Sequence, residues 1–408
     1  MTSKFLIAAF SASMLFGANA MAADAAKAPP PPKMNAAIQR ALSDAQKAMN
    51  AKDYPAALAA IDKAKGISAP SQYEILMINR FAMGAHVGLQ DFAAAAVDAA
   101  AAADVDPAAI PDVDKPAVYK PALQLAMNAK QPAQAVKYAK LLMATTPPPS
   151  AQDMALITTA LYQGGDFAGA TAIAQKNIDA ATAAGQKPAL SDLQIVMNSQ
   201  VKLNDQAGAE KTLEALVANH GQAADWNQLM AVALTTKGMR DIDYIYMGRL
   251  MFMQGGTVTA SDASLIGSTA SKLGFLGEVQ ESEKRGGTGF TPAGDKVAAD
   301  KKTIPAQIAA GPKQNGLYNV KLAQALYGYG MYPEAIASAQ LGKSKGGDPD
   351  PTEADMVIGQ AQAASGNYAA AATTFAGVQQ SNPAAARVVR LWTYYVKGKA
   401  APATAAAQ

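Results

Sequence analysis

The sequence predicts an all-α solenoid in which pairs of helices repeat along the chain. Seven stretches share a polar turn followed by an alanine at one fixed position, and five of them place an aromatic residue three positions before that alanine. Successive alanines are 38, 40, 35, 39, 126 and 36 residues apart. A period of this length is typical of stacked helix pairs. The aligned residues are Ala57, Ala95, Ala135, Ala170, Ala209, Ala335 and Ala371.

Prolines and small residues define the two helices of each unit. Pro107, Pro147 and Pro383 follow their aligned alanines by twelve residues, where proline ends a helix and begins the link to the next unit. Small residues lie twelve positions before the alanine in four units, as expected where two helices cross closely; they are Ala45, Thr158, Ala323 and Gly359. Alanine also has the highest helix propensity. An alanine-rich bundle without repeats is the alternative, but it does not explain this register.

The period and these residues resemble the tetratricopeptide repeat, whose pattern is matched best near the end of the chain. There Gly359 is the small residue of the first helix, Ala371 and Phe375 form the A-x3-F element, and Pro383 closes the unit. Trp226 and Leu229 supply a W-x2-L element elsewhere. The resemblance implies a right-handed superhelical solenoid of about nine helix pairs.

The chain ends carry different signals. Residues 1–20 have a lysine, a short apolar run and an Ala-Asn-Ala site, as in a secretory signal peptide, with cleavage after residue 20 or 22. Residues 21–33 are a proline-rich linker, and residues 34–385 are the predicted solenoid. Residues 386–398 are predicted to form a capping helix, and residues 399–408 a disordered tail. The prediction is therefore a periplasmic protein without a membrane anchor after cleavage; an uncleaved N-terminal anchor is the alternative.

An insertion at about residues 286–315 interrupts the repeats and is rich in Gly, Pro and Lys. Residues 284–313 contain six basic residues and two acids. A solvated loop with one short helix is one interpretation. The other is a mobile arm that contacts an acidic partner or polymer.

Composition argues against several functions. Charged residues make up 16% of the chain and the net charge is +3, a balance that argues against nucleic acid, because phosphate binding needs a concentrated basic surface. The chain has no cysteine, and its two histidines have no metal-ligand spacing. No constellation for catalysis is present, and we predict neither an enzyme nor a cofactor nor a metal site.

The remaining prediction is a scaffold or adaptor that binds a protein or peptide partner in a concave groove. A non-catalytic module of a cell-envelope or polysaccharide export complex is the alternative. The resemblance implies that the ligand contacts the inner face of the first helix of each pair. Aligned positions on that face hold Arg80, Lys120, Gln124, Tyr162, Gln194, Asn198, Lys202, Asn227, Gln324, Tyr327 and Gln360.

Overall fold

The computed structural model describes residues 32–347, 350–380 and 382–400. In these residues the chain forms α-helices, three short 3-10 segments and turns, and no strand. These described residues divide into two compact units, unit 1 (up to Gly165) and unit 2 (from Asp166). The predicted signal peptide, nearly all of the proline-rich linker and residues 401–408 of the predicted tail lie outside the described residues.

In residues 32–165, unit 1 contains seven α-helices. They are α1 (Ala36–Asn50), α2 (Tyr54–Lys65), α3 (Gln72–Gly88), α4 (Phe92–Ala103), α5 (Lys115–Asn128), α6 (Pro132–Met143) and α7 (Ala151–Gln163). The 3-10 segments Pro107–Ala109 and Asp112–Asp114 precede α5. Helices α1 and α2, α3 and α4, and α5 and α6 pack as pairs, and the second helix of each pair also packs against the first helix of the next.

The turn inside each pair explains the repeated polar motif. Lys52, Gln90 and Lys130 each adopt a positive φ, of 59°, 61° and 55°, one residue before the helix N-cap. The N-cap is Asp53 in α2 and Asp91 in α4, and each carboxylate accepts a hydrogen bond from a backbone N–H in the first turn. Such a cap stabilises a helix by about 1 kcal/mol. The motif therefore reverses the chain direction and starts the second helix.

Unit 2 contains thirteen α-helices among its described residues. They are α8 (Phe167–Ala183), α9 (Leu190–Lys202), α10 (Gln206–Asn219), α11 (Ala223–Ala233), α12 (Asp241–Gln254), α13 (Ala260–Leu273), α14 (Leu276–Lys284), α15 (Lys296–Ala310), α16 (Gly316–Gly328), α17 (Tyr332–Lys345), α18 (Glu353–Ala364), α19 (Tyr368–Ala376) and α20 (Pro383–Ala400). Helices α9 and α10, α13 and α14, α16 and α17, and α18 and α19 pack as pairs. The predicted all-α fold of consecutive helix pairs is thus confirmed.

The aligned alanines lie at the helix contacts. Six of the seven are at most 3% exposed, and only Ala209 is half-buried. The small residues Ala45, Thr158 and Ala323 are also buried. At Gly359, a Cβ atom would lie 2.7 Å from the ring of Phe375, so glycine is what allows this ring to pack between the helices. The predicted roles of Gly359, Ala371 and Phe375 are confirmed.

Helices α12 and α20 depart from simple pairing. Nine of the fourteen residues of α12 are buried, which is typical of a helix surrounded by protein. Helix α20 contacts α10, α12, α18 and α19, whereas a terminal cap would cover only the last pair. Trp392 of α20 is fully buried, and its indole N–H donates to the Tyr246 carbonyl of α12 at 3.0 Å. The C-terminal helix is therefore a core element of unit 2.

The interrupting segment is folded in the structure. Helix α15 occupies its second half and buries Val297 and Ile304. Before this helix, the ring of Phe290 lies where a side chain on Gly267 of α13 would be, 2.3 Å from such a Cβ atom. The segment thus packs within unit 2, and Lys296, Lys301 and Lys302 are exposed on α15.

Candidate functional site

Four of the predicted contact residues lie on first helices of unit 1 and are partly exposed: Arg80 on α3, Lys120 and Gln124 on α5, and Tyr162 on α7. The Lys120 ammonium lies 2.6 Å from Asp153 Oδ1 at the start of α7. Arg80 Nη1 lies 3.9 Å from Asp114 Oδ1, next to the start of α5. Each cation therefore contacts the N-terminal end of the following first helix.

The electrostatics of this surface follow from those pairs. Burial favours the neutral Asp153 carboxyl, but hydrogen bonds from Lys120 and Ser150 outweigh it and hold the pKa of Asp153 below its ordinary value. Burial, with a smaller effect of the Asp114 charge, raises the pKa of the nearby Tyr73 hydroxyl. The surface therefore presents paired charges, an amide and phenol groups, which together can bind polar groups of a partner. We call Arg80, Lys120, Gln124 and Tyr162 the unit 1 face.

The predicted residues on α9 and α11 of unit 2 are less uniform. Asn198 and Lys202 are exposed, and Gln194 is partly exposed. The side-chain oxygen of Asn227 accepts a hydrogen bond from the Thr257 backbone N–H at 3.1 Å. Asn227 therefore has a structural contact within the chain, and we expect its replacement to disturb the loop after α12.

The prediction is corrected for Gln324, Tyr327 and Gln360, which are buried in unit 2. Gln324 and Gln360 are fully buried and Tyr327 is 8% exposed. Both amide side-chain oxygens accept hydrogen bonds from Arg249 Nη1, at 2.6 Å and 2.8 Å. Helix α12 brings Arg249 to these positions, so the face that the alignment assigned to a ligand is covered by the chain itself.

Arg249 is the centre of a buried polar cluster. Its Nε atom donates to Glu278 Oε1 of α14 at 2.8 Å, and the side chains of this ion pair are 1% and 4% exposed. Its guanidinium carbon lies 4.1 Å from the ring centre of Tyr327, close enough for a cation–π interaction. Gln324 also donates to the Tyr246 hydroxyl at 2.8 Å. Burial raises the pKa of Tyr246 well above its ordinary value, so this hydroxyl stays protonated.

One sequence signal could have revealed this cluster. The α12 segment DIDYIYMGRLMFMQ is apolar around most of the helix and contains a single arginine in its centre. Buried charges are normally paired, so such an arginine indicates a buried partner. Its partner Glu278 is 29 residues away and cannot be recognised from the sequence pattern.

A cavity of about 520 Å³ lies beside this cluster in unit 2. Helices α12, α14, α18 and α20 contribute to its walls, together with the turn between α16 and α17. Basic and aromatic side chains dominate the lining, which includes Lys284, Arg285, Lys301, Tyr329 and Tyr332. We call this space the tyrosine cavity.

The two histidines have hydrogen-bonding partners in different units. His86 Nδ1 lies 2.6 Å from Asp98 Oδ2 in unit 1, and His220 Nε2 lies 2.9 Å from the Pro188 carbonyl oxygen in unit 2. Over the described ranges, no three His, Asp or Glu side chains are grouped to hold a metal ion. Over the same ranges, no helix is long and apolar enough to cross a bilayer.

Comparison with solved structures finds nine similar chains, and yeast Tom70 is among them. No protein-family model and no curated protein matches the sequence. The crystal structure of yeast Tom70, a helical tetratricopeptide-repeat protein, is similar over 89% of this chain and 96% of that chain. Sequence identity is 9% and the TM-score is 0.26, values that carry no argument about partners. The class of protein, all-helical with consecutive tetratricopeptide-like pairs, rests on the helix pairs and the buried repeat positions.

Proposed function

We propose that the protein is a periplasmic scaffold that binds a protein partner through the unit 1 face. The observation that carries this proposal is the accessibility of polar side chains at matching positions on α3, α5 and α7. In unit 2 the matching positions on α16 and α18 are buried against Arg249. Partner binding is therefore assigned to the unit 1 face, which the chain leaves uncovered, as it also leaves Asn198 and Lys202 on α9.

The chemistry of the unit 1 face suits a peptide. Gln124 carries both a donor and an acceptor, which can pair with a peptide backbone. Tyr162 provides aromatic contact area with little loss of conformational entropy. Lys120 and Asp153 are already paired, so a partner gains little from net charge and binds mainly by shape and hydrogen bonds.

The test uses two matched double variants of the α5–α6 pair. Lys120→Ala with Gln124→Ala removes one lysine and one glutamine from the first helix. Lys137→Ala with Gln134→Ala removes the same residue types from the second helix, where Lys137 also pairs with an acid, Asp104 at 2.8 Å.

Each variant is used to recover binding partners from a cell-envelope extract and is then titrated against the recovered partner. We expect the α5 variant to weaken binding by about 1–3 kcal/mol, the scale for hydrogen-bonding groups left without a partner. The α6 variant should bind as the unaltered chain does. Equal affinity of all three proteins would refute the assignment to the unit 1 face, and recovery of a glycan or an export complex would favour the alternative function.

The periplasmic location is proposed from the N-terminal sequence alone. The protein should be recovered in an osmotic-shock fraction. N-terminal sequencing of the purified protein should then give a first residue near Met21 or Ala23. An intact Met1 in a membrane pellet would contradict it.

A further inference from the structure

The tyrosine cavity has the size of a ligand site. Its volume of about 520 Å³ falls within the range of about 300–1,000 Å³ for small-molecule sites. All of its lining residues belong to unit 2, and the buried Arg249–Glu278 pair is among them. The unit 1 face does not contribute to it, so it is a separate site.

The lining has an excess of positive charge. Four cations (Arg249, Lys284, Arg285 and Lys301) and two carboxylates (Glu278 and Glu281) line the cavity. Glu278 neutralises Arg249, while Lys284 and Arg285 share Glu281. Lys301 is exposed and forms no ion pair among the residues that the structure describes. The lining therefore has an excess of two positive charges, one at Lys301 and one divided between Lys284 and Arg285.

Aromatic rings hold these cations in place. The Arg285 guanidinium lies 4.3 Å from the ring centre of Phe252, and the Lys301 ammonium lies 5.1 Å from that of Tyr329. The Tyr329 hydroxyl donates to Asp300 Oδ2 at 2.5 Å, and Asp300 does not line the cavity. Positively charged groups positioned in this way lose little freedom when an anion binds.

The same contacts distinguish between two acidic ligands, a peptide carboxylate and a uronic acid sugar. A sugar binds to aromatic residues by stacking on an open ring face. Here a face of Phe252, of Tyr327 and of Tyr329 is already covered by a cation of the chain. Tyr368 and Tyr395 meet at 78°, which forms a corner and not a flat platform. The cavity therefore fits a carboxylate next to a compact apolar side chain better than it fits a uronic acid.

We propose that the tyrosine cavity is a second binding site, which takes an acidic side chain and a neighbouring apolar side chain from a peptide segment of the partner. The carboxylate pairs with Lys301 and Arg285. The apolar side chain packs against Tyr332, Tyr368 and Tyr395. The inference rests on the proposed function only in that the occupant is a protein segment.

The experiment uses the full chain and a fluorescent peptide of alternating Glu and Phe. Lys301→Glu reverses the charge at the cavity, and Lys302→Glu makes the same change one residue further along α15, outside the lining. Both lysines are exposed, so both variants should fold, which an unchanged tryptophan fluorescence spectrum checks. We expect Lys301→Glu to weaken peptide binding at least about tenfold, equivalent to ~1.4 kcal/mol. Lys302→Glu should stay within about twofold, because charges outside a contact have small effects. Lys301→Arg should keep the affinity.

The other outcomes overturn the inference, and one of them leaves the proposed function intact. If the peptide does not bind the unaltered chain, or if Lys301→Glu binds it as well as Lys302→Glu does, the inference is overturned. If oligogalacturonate binds and depends on Lys301 while the peptide does not bind, the occupant is an acidic polymer and the inference is again overturned. If the peptide depends on Lys120 and Gln124 but not on Lys301, the proposed function stands and only the cavity assignment fails.

Discussion

Replacement of Arg249 by methionine is expected to destabilise unit 2 strongly. Methionine keeps much of the side-chain length but removes the charge and all five nitrogen-bound hydrogens. Glu278 would then remain 4% exposed and without its cation, and the side-chain oxygens of Gln324 and Gln360 would lose their donor. The variant tests whether the cluster around Arg249 is what closes the inner face of this unit.

The magnitude follows from the burial of the pair. Breaking a buried ion pair by removing one partner costs about 3–5 kcal/mol, because the remaining charge stays uncompensated. Removing both charges is far less costly, so Arg249→Met combined with Glu278→Gln should recover a large part of that loss. The recovery distinguishes an electrostatic role from simple loss of side-chain volume.

Urea unfolding followed by tryptophan fluorescence measures this effect. Both tryptophans of the chain, Trp226 and Trp392, lie in unit 2, so the signal reports this unit selectively. Lys272→Met is the matched control. Lys272 of α13 pairs with Asp241, which lies on α12 as Arg249 does, but Lys272 is 69% exposed. An exposed pair contributes about 0–1 kcal/mol. If Arg249→Met lowered the free energy of unfolding no more than Lys272→Met, the proposed role of the cluster would be refuted.

Three further expectations concern packing and pH. Gly277→Ala should lower the free energy of unfolding of unit 2 by at least about 1–3 kcal/mol in the same assay, because the new Cβ would lie 2.3 Å from the backbone of Gly328. An unchanged free energy of unfolding would mean that α14 and α16 are further apart. Ala371→Leu should cost about 1–3 kcal/mol and lower hydrogen-exchange protection across α18 to α20, because Ala371 is fully buried, and unchanged protection would contradict the assigned register. Burial raises the pKa of Tyr395 to about 12, above the ordinary value of about 10. The contribution of this hydroxyl to stability is therefore complete below pH ~10 and is lost as the pH rises through the folded-state pKa. Tyr395→Phe should reduce the alkaline loss of stability, and an equal loss in both proteins would exclude this hydroxyl as its source.

The repeat fold could be predicted because its signals are local. A residue with positive φ comes directly before the N-cap of the second helix, and in α2 and α4 this cap is an Asp. The aligned alanine lies a fixed distance into the second helix. Pro383 is the first residue of α20 and separates it from α19, as its position after Ala371 predicts. Each of these features depends on residues within one helix pair and recurs in successive pairs along the chain.

The burial of the inner positions on α16 and α18 could not be predicted in the same way. Alignment to a regular repeat assumes that every first helix presents its inner positions to a groove, and it carried Gln324 and Gln360 into the ligand surface on that assumption. What decides their environment is α12, which joins them across 75 and 111 residues through Arg249. Contacts at such separations leave no periodic signal.

Polar residues at those inner positions can form hydrogen bonds with or without a partner. A glutamine on an inner face can pair with a peptide in a groove or with an arginine of the same chain, because its side-chain oxygen accepts equally well from either. In unit 2 the arginine is covalently part of the chain and is held by Glu278, so no partner can displace it without exposing a buried charge. In unit 1 the corresponding Gln124 remains partly exposed. The same residue type therefore stabilises the fold in one unit and remains accessible for recognition in the other, and the burial of the position, not the residue type, distinguishes the two roles.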